Sequence, residues 1–158
     1  MEKLDLYNSN GEKLNKTIFR GTKPEDGEFI KLAVIYIKSR NKYLLQKCSE
    51  QKGGEFAVTG GHVSAGNSSE EQAVIEIKEE LGIDIDKTKL TFVGSMFKGK
   101  AIFDVFCYED NNLVNFNFDL QLEEVAEVCW FEKPEIEKLI NDGVVRESTC
   151  LHYNKFIK

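Results

Sequence analysis

The stretch Gly60-Gly-His-Val-Ser-Ala-Gly-Asn-Ser-Ser-Glu-Glu-Gln-Ala-Val-Ile-Glu-Ile-Lys-Glu-Glu-Leu-Gly-Ile83 changes character at Ser68, from a glycine-rich loop to a run with helical spacing. The Ser68 hydroxyl can cap that helix while Glu71, three residues on, reaches back to the Ser68 amide, a reciprocal capping box. Gly82 then supplies a left-handed stop. On a helix, Glu76, Glu79 and Glu80 fall within one arc, and Val74, Ile77 and Leu81 form a separate, core-facing stripe. Like charges three and four residues apart cost an isolated helix about 0.2–0.5 kcal/mol per pair. A hard divalent cation would reverse that sign, and the carbonyl of Gly60 or Gly61 is a suitable oxygen ligand beside carboxylates. A merely solvated acidic face would leave the glycines unexplained.

Outward from this stretch, Phe29 to Lys38 is a β-branched, nearly continuous apolar run suited to a central strand covered on both faces. Lys42 to Lys47 forms the next strand, Cys48 to Glu55 a loop, and Phe56 to Thr59 a short strand entering the glycines. Leu4 to Tyr7 and Lys13 to Arg20 read as a hairpin around the turn sequence Asn8-Ser-Asn-Gly11. Leu90 to Phe97, Ala101 to Glu109 and Val125 to Phe131 are further strands, and Pro134 opens a second helix ending near Gly143. Several strands follow one another without helices between them. That order predicts an α/β fold, an α/β/α sandwich on a mixed sheet, and not a strict βαβ repeat. No repeat or Pro/Ser-rich linker interrupts the chain, so residues 1–158 are expected to form one domain.

Composition narrows the partners. Hydrophobic residues at 41% and charged residues at 30% exclude a disordered or disulfide-scaffold chain. With 21 Lys+Arg against 27 Asp+Glu the net charge is −6 and no basic cluster stands out, which argues against a nucleic-acid partner. The longest apolar stretch, Phe29 to Ile37, is broken by Lys31 and far short of the ~20 residues of a membrane-spanning helix. The N-terminal residues carry no apolar run like a signal peptide, so a cytoplasmic protein is expected. Its four scattered cysteines then read as free thiols, and two histidines are too few for a histidine-built metal centre. Any metal must be held by oxygen.

The stretch resembles the Nudix box, G-x5-E-x7-R-E-U-x-E-E-x-G-U with U aliphatic. Gly61, Glu76, Ile77, Glu79, Glu80, Gly82 and Ile83 match in register, whereas Asn67 stands in place of Glu and Ile75 in place of Arg. Losing one charge of a buried pair costs several kcal/mol, roughly 3–5, but losing both together strands nothing. Lys13 to Arg20 with Gly27-Glu-Phe29, Leu44-Leu-Gln-Lys47, Gly60-Gly-His-Val63 and Glu123 to Phe131 also resemble the branch of the superfamily similar to isopentenyl-diphosphate isomerases.

The resemblance implies a Nudix-type α/β/α sandwich around a mixed β-sheet and Mg2+-dependent hydrolysis, with Mn2+ as a substitute cation. The substrate it implies is a nucleoside diphosphate linked to another moiety, with water attacking a diphosphate phosphorus. By that resemblance Glu76, Glu79 and Glu80 with the Gly60 or Gly61 carbonyl hold metal, and Glu79, Glu80 and Glu124 are catalytic. Glu124 is the candidate base because it precedes Val125 and Trp130 in a Glu-Val-x-x-x-x-Trp arrangement; Glu123, Glu127 and Asp104 are its competitors. Lys52, with Lys47, is a candidate phosphate contact, and His62 is read as shaping the turn. A homodimer through the N-terminal hairpin is expected. The rival functions are a non-catalytic nucleotide-binding module of the same fold and an isopentenyl-diphosphate isomerase, against which the missing histidines and cysteine motif weigh.

Overall fold

A computed structural model of the protein describes residues 1–158. Its centre is strand β3 (Ile30–Ser39), flanked in parallel by β8 (Ala101–Glu109) and in antiparallel fashion by β4 (Lys42–Cys48), within a seven-stranded mixed sheet. The β-branched run predicts this position: Ala33 to Ile37 is buried on both faces. Beyond β8 lies the edge strand β7 (Leu90–Lys98), and β9 (Val125–Phe131) pairs with the far side of β4.

The sheet is split where the glycines enter. Strand β4 stays with β3 only at Lys38↔Tyr43 and Ser39↔Lys42, then diverges. Into the gap pass β5 (Phe56–Ala57), paired with β4, and β6 (Thr59–His62), paired with β3. Gly60 and Gly61 are therefore strand residues, where the sequence suggested a loop.

Helix α1 (Ser69–Leu81) covers one face of the sheet, with Ala73, Ile77 and Leu81 buried in a cluster that includes Ile35, Leu44 and Phe106. Val74, expected in this stripe, is only half-buried, and Ala73 takes its place, since the buried row runs i, i+4, i+8. The capping box forms as read, with Ser68 Oγ accepting from the Glu71 amide and Glu71 accepting from the Ser68 amide. Gly82 stops the helix at φ 74°, and a Cβ there would stand 2.7 Å from Asp119 Cβ, so both backbone and packing require glycine.

The opposite face is covered by α2 (Lys133–Asn141), α3 (Glu147–His152) and a π-helical turn (Tyr153–Ile157), through Ile136, Tyr153 and Ile157. The sequence reading found α2 and missed α3, which is short and has no side-chain cap. The two faces together make the α/β/α sandwich. Strands β1 (Lys3–Tyr7) and β2 (Lys13–Phe19) form the N-terminal hairpin, whose Leu4, Leu6 and Tyr7 are buried against the rest of the chain. No helix is long and apolar enough to cross a membrane.

Two polar groups lie deep in this packing. Asp104, weighed as a site acid, is 4% exposed on β8 and is satisfied by Ser69 Oγ at 2.5 Å, Ser95 Oγ at 2.6 Å and Lys31 Nζ at 3.2 Å. It is a structural tie between α1 and three strands. His152 lies 2.5 Å through Nδ1 from the Tyr36 hydroxyl, and burial pushes its pKa down to about 4, so the neutral ring accepts from Tyr36.

Because the unfolded imidazole protonates near pH 6.5 and the folded one only near pH 4, the unfolded chain binds more protons between those values. Stability therefore falls as pH drops through that window, by about 3 kcal/mol at most at roughly 1.4 kcal/mol per pH unit. Urea unfolding at pH 7 and pH 5 is expected to show this fall in the parent and a flatter dependence in His152→Asn.

Candidate active site

The acidic pocket lies where α1 crosses β6. Helical spacing brings Gln72, Ile75, Glu76, Glu79 and Glu80 to its wall, joined by Gly60, Gly61 and His62 from β6. Glu124 and Gln121 come from the turn before β9, and Glu2 and Arg20 from the hairpin. Ile75 is its one hydrophobic residue, and five carboxyl groups face one arginine.

Two of those carboxyls are held largely out of water. Glu80 is 6% exposed, and its Oε1 accepts from Gln46 Nε2 at 2.8 Å, while Thr59 Oγ1 donates to Gln46 Oε1 at 3.1 Å. Glu76 Oε1 accepts from Gln72 Nε2 at 2.9 Å. Burial raises the pKa of both acids above the usual carboxylate range; the neighbouring charge raises each further, and the glutamine hydrogen bonds oppose the shift. Gly61 makes the approach possible, since a Cβ on it would collide with the Glu76 carboxylate.

The register of β6 distinguishes the two glycines. Val63 N–H donates to Lys31 C=O, and Leu32↔His62, Ala33↔Gly61 and Val34↔Gly60 continue that ladder. In antiparallel alternation Gly61 bonds to Ala33, whereas Gly60 turns its N–H and C=O away from β3. The Gly60 amide favours the ionised form of Glu80, and its carbonyl is free. Of the two carbonyls considered as metal ligands, Gly60 presents one and Gly61 instead contributes the absence of a side chain.

Where the box departs from the pattern, a polar bridge stands. Asn67 Nδ2 donates to Gln72 Oε1 at 3.0 Å, the same oxygen accepts from the Ser64 amide at 3.1 Å, and Gln72 Nε2 goes on to Glu76. Ile75 lies half-buried on the pocket wall.

Glu124 is placed by backbone bonds. The Glu80 and Leu81 carbonyls at the end of α1 accept from Gln121 and Asp119, and the Ser49 amide donates to the Glu124 carbonyl. Lys52 Nζ lies 3.3 Å from Glu124 Oε1. Glu123 and Glu127, its competitors, do not line the pocket, because both are exposed on other sides of the turn and strand. Lys47 is likewise exposed, over the Phe56 ring, whereas Lys52 lines a neighbouring cavity. His62 is half-buried at the end of β6, its pKa lowered by burial and then by Arg20.

The donor set suits a hard cation in kind: carboxylates in excess, a free carbonyl, no thiolate. The convergence expected from helix spacing is incomplete, however, because no three His, Cys, Asp or Glu side chains stand close enough together to hold an ion. Glu79 is exposed, whereas Glu80 is buried and Glu76 half-buried. Arg20, Gln46, Gln72, Gln121 and Arg146 were not singled out from sequence as site residues. Gln46 stands within the quoted Leu44-Leu-Gln-Lys47, but only the fold reveals its contact with Glu80, 34 positions away.

Comparison with known proteins identifies the family. The chain belongs to the Nudix family, matching the NUDIX domain over residues 30–150. It is 32% identical over 151 residues to an uncharacterized Nudix hydrolase of Listeria innocua, covering 90% of this chain and 87% of that one. The family and its hydrolase relatives make it an enzyme of the acid-anhydride hydrolase type. Among solved structures, a Deinococcus radiodurans protein superposes with TM-score 0.84 at 16% identity, covering 99% of this chain and 100% of that one. A Francisella tularensis bifunctional NMN adenylyltransferase/ADP-ribose pyrophosphatase, complexed with AMP and a manganese ion, gives TM-score 0.62 at 13% identity over 82% of this chain and 40% of that one. At these identities the two superpositions establish a shared fold.

Burying two carboxyls side by side disfavours their ionised forms, so with both folded pKa values raised, stability is lost as pH rises above the ordinary carboxylate range. Metal-free Glu80→Gln is accordingly expected to melt above the metal-free parent at pH 8, measured by calorimetry in chelator.

Proposed function

We propose that the protein hydrolyses a nucleoside diphosphate linked to another moiety, in a Mg2+-dependent reaction for which Mn2+ can substitute. The observation that carries this reading is the Glu76–Glu80 pair, two carboxyls kept close and shielded from water beside the free Gly60 carbonyl. Such a pair costs stability unless a cation compensates it. Glu76, Glu79, Glu80 and the Gly60 carbonyl would hold the metal. When bound, a divalent ion there supplies charge neutralisation on the phosphoryl oxygens and a more acidic water.

The remaining work falls to the chain. Glu124 would take the proton of the attacking water, and its backbone anchors fix it beside the end of α1. Its ion pair with Lys52 joins two side chains that are each about two-fifths exposed, so the pair is weak and Lys52 can exchange onto a substrate phosphate. Gln46 and Gln72 orient Glu80 and Glu76 through one oxygen of each. The Francisella tularensis protein, named as an ADP-ribose pyrophosphatase and containing AMP and manganese, supports a nucleotide-derived substrate on this fold. A homodimer through the exposed outer face of β2, within one domain spanning residues 1–158, and a cytoplasmic location complete the proposal.

A panel of nucleoside diphosphate derivatives with Mg2+ is expected to yield turnover, with phosphate or nucleoside monophosphate released. Glu80→Gln should lose most Mn2+ affinity and Mn2+-dependent thermal stabilisation. Glu124→Gln should lower kcat by about 100- to 10,000-fold with Mn2+ affinity retained. Tight nucleotide binding without turnover in the parent would identify the binding module instead.

A further inference from the structure

On the α3 side of the sheet a second cavity, of about 240 Å3, shares Arg20, Gly60, Gly61, His62, Glu80 and Glu124 with the acidic pocket. The two adjoin at the glycines of β6. Their chemistry differs: the second contains apolar walls from Leu32, Val34, Val58 and Phe103, and three cations. Two of those cations are occupied. Arg20 pairs with Glu2 at 3.3 Å and Lys52 with Glu124 at 3.3 Å.

Arg146 is the third, and it forms no ion pair. Its Nη2 donates to Cys48 Sγ at 3.2 Å, a weak acceptor, and to the Lys52 carbonyl at 3.4 Å. Nε and Nη1 have no protein acceptor, and since no fully buried side-chain donor is left unpaired, they face open space. Arg146, Ser148 and Phe103 also form the wall shared with an outer cavity, where Lys98 is a further cation without an ion pair. Glu55 and Glu147 flank that outer cavity, and neither reaches within 4 Å of Arg146 or Lys98.

A half-buried guanidinium with two of its three nitrogens unused is matched by an oxyanion, and two cations lining one outer cavity suit a dianion. We propose that Arg146, seconded by Lys98, reads a phosphate monoester carried by the substrate on the part that extends beyond the hydrolysed diphosphate. The inference deepens the hydrolase reading and rests on it for the position of the diphosphate. The adjoining cavities would then hold one elongated ligand, its diphosphate at the acid end and its second phosphate at the Arg146 end.

The test uses two pairs of compounds that differ by one ribose phosphate, NAD with NADP and dephospho-coenzyme A with coenzyme A. Turnover is measured with Mg2+, and binding is measured by calorimetry in chelator. The parent is expected to favour the phosphorylated member of at least one pair by about tenfold or more, in binding and in kcat/KM. Arg146→Gln should bring that ratio to within about threefold, Arg146→Lys should retain part of it, and Lys98→Gln, at an exposed position, should weaken it with the fold untouched. Equal treatment of both members by the parent, or a preference that survives both glutamine variants, overturns the proposal. A binding preference lost in Arg146→Gln, with no diphosphate hydrolysed by the parent, would refute the hydrolase reading and leave this one standing.

Discussion

Two glutamates one helical turn apart, one buried and one half-buried, are packed against a strand, and most of the site's architecture serves that arrangement. The repulsion between Glu76 and Glu80 is of the kind that folding ordinarily avoids. Here the helix that carries them is secured from both ends: by the Ser68 capping box and the Asp104–Ser69 bond at its start, and by Gly82 and the bonds to Asp119 and Gln121 at its finish. Ala73, Ile77 and Leu81 bury the other side of the same helix. Burial of that apolar row, at about 25 cal/mol per Å2, supplies the free energy against which the acid pair is held.

The sheet contributes by failing to close. Because β4 leaves β3 after two paired residues, a second segment can enter between them, and its first residues bond to one strand while its last bond to the other. A strand inserted this way has one edge free over part of its length. Gly60 stands there, and so an ordinary antiparallel ladder yields both an amide directed at Glu80 and an unclaimed carbonyl. The same split leaves space on either side of β6, which is why the acidic pocket and the cation-bearing cavity meet at the glycines.

What was legible in the sequence was local. The capping box, the stop at Gly82, the β-branched centre of β3 and the hairpin turn each depend on neighbours within a few residues, and each formed where periodicity and turn chemistry put it. The three glutamates could be assigned to one side of α1, and all three line the pocket, but spacing on a helix says nothing about rotamers, and their side chains do not converge into a group that could hold an ion. Asp104 illustrates a second limit. An acid inside an apolar run signals a special environment without saying which, and only the assembled sheet brings Lys31, Ser69 and Ser95 to it. The glutamines were silent for the same reason, being ordinary residues whose partners are 34 positions away, in the case of Gln46, or belong to a departure from the familiar pattern, in the case of Gln72. Helix α3 carried too little periodicity in six residues to be seen.

The N-terminal hairpin has a bearing of its own. Glu2 and Arg20 close its open end, joined by a backbone bond and a 3.3 Å ion pair, and together they form part of the rim of the acidic pocket. Both precede the segment, residues 30–150, that is shared with the family. The carboxyls on α1 and part of the pocket's rim thus come from different portions of the chain. A change in that ribbon would reshape the rim while leaving the acids of α1 and the glycines of β6 where they are.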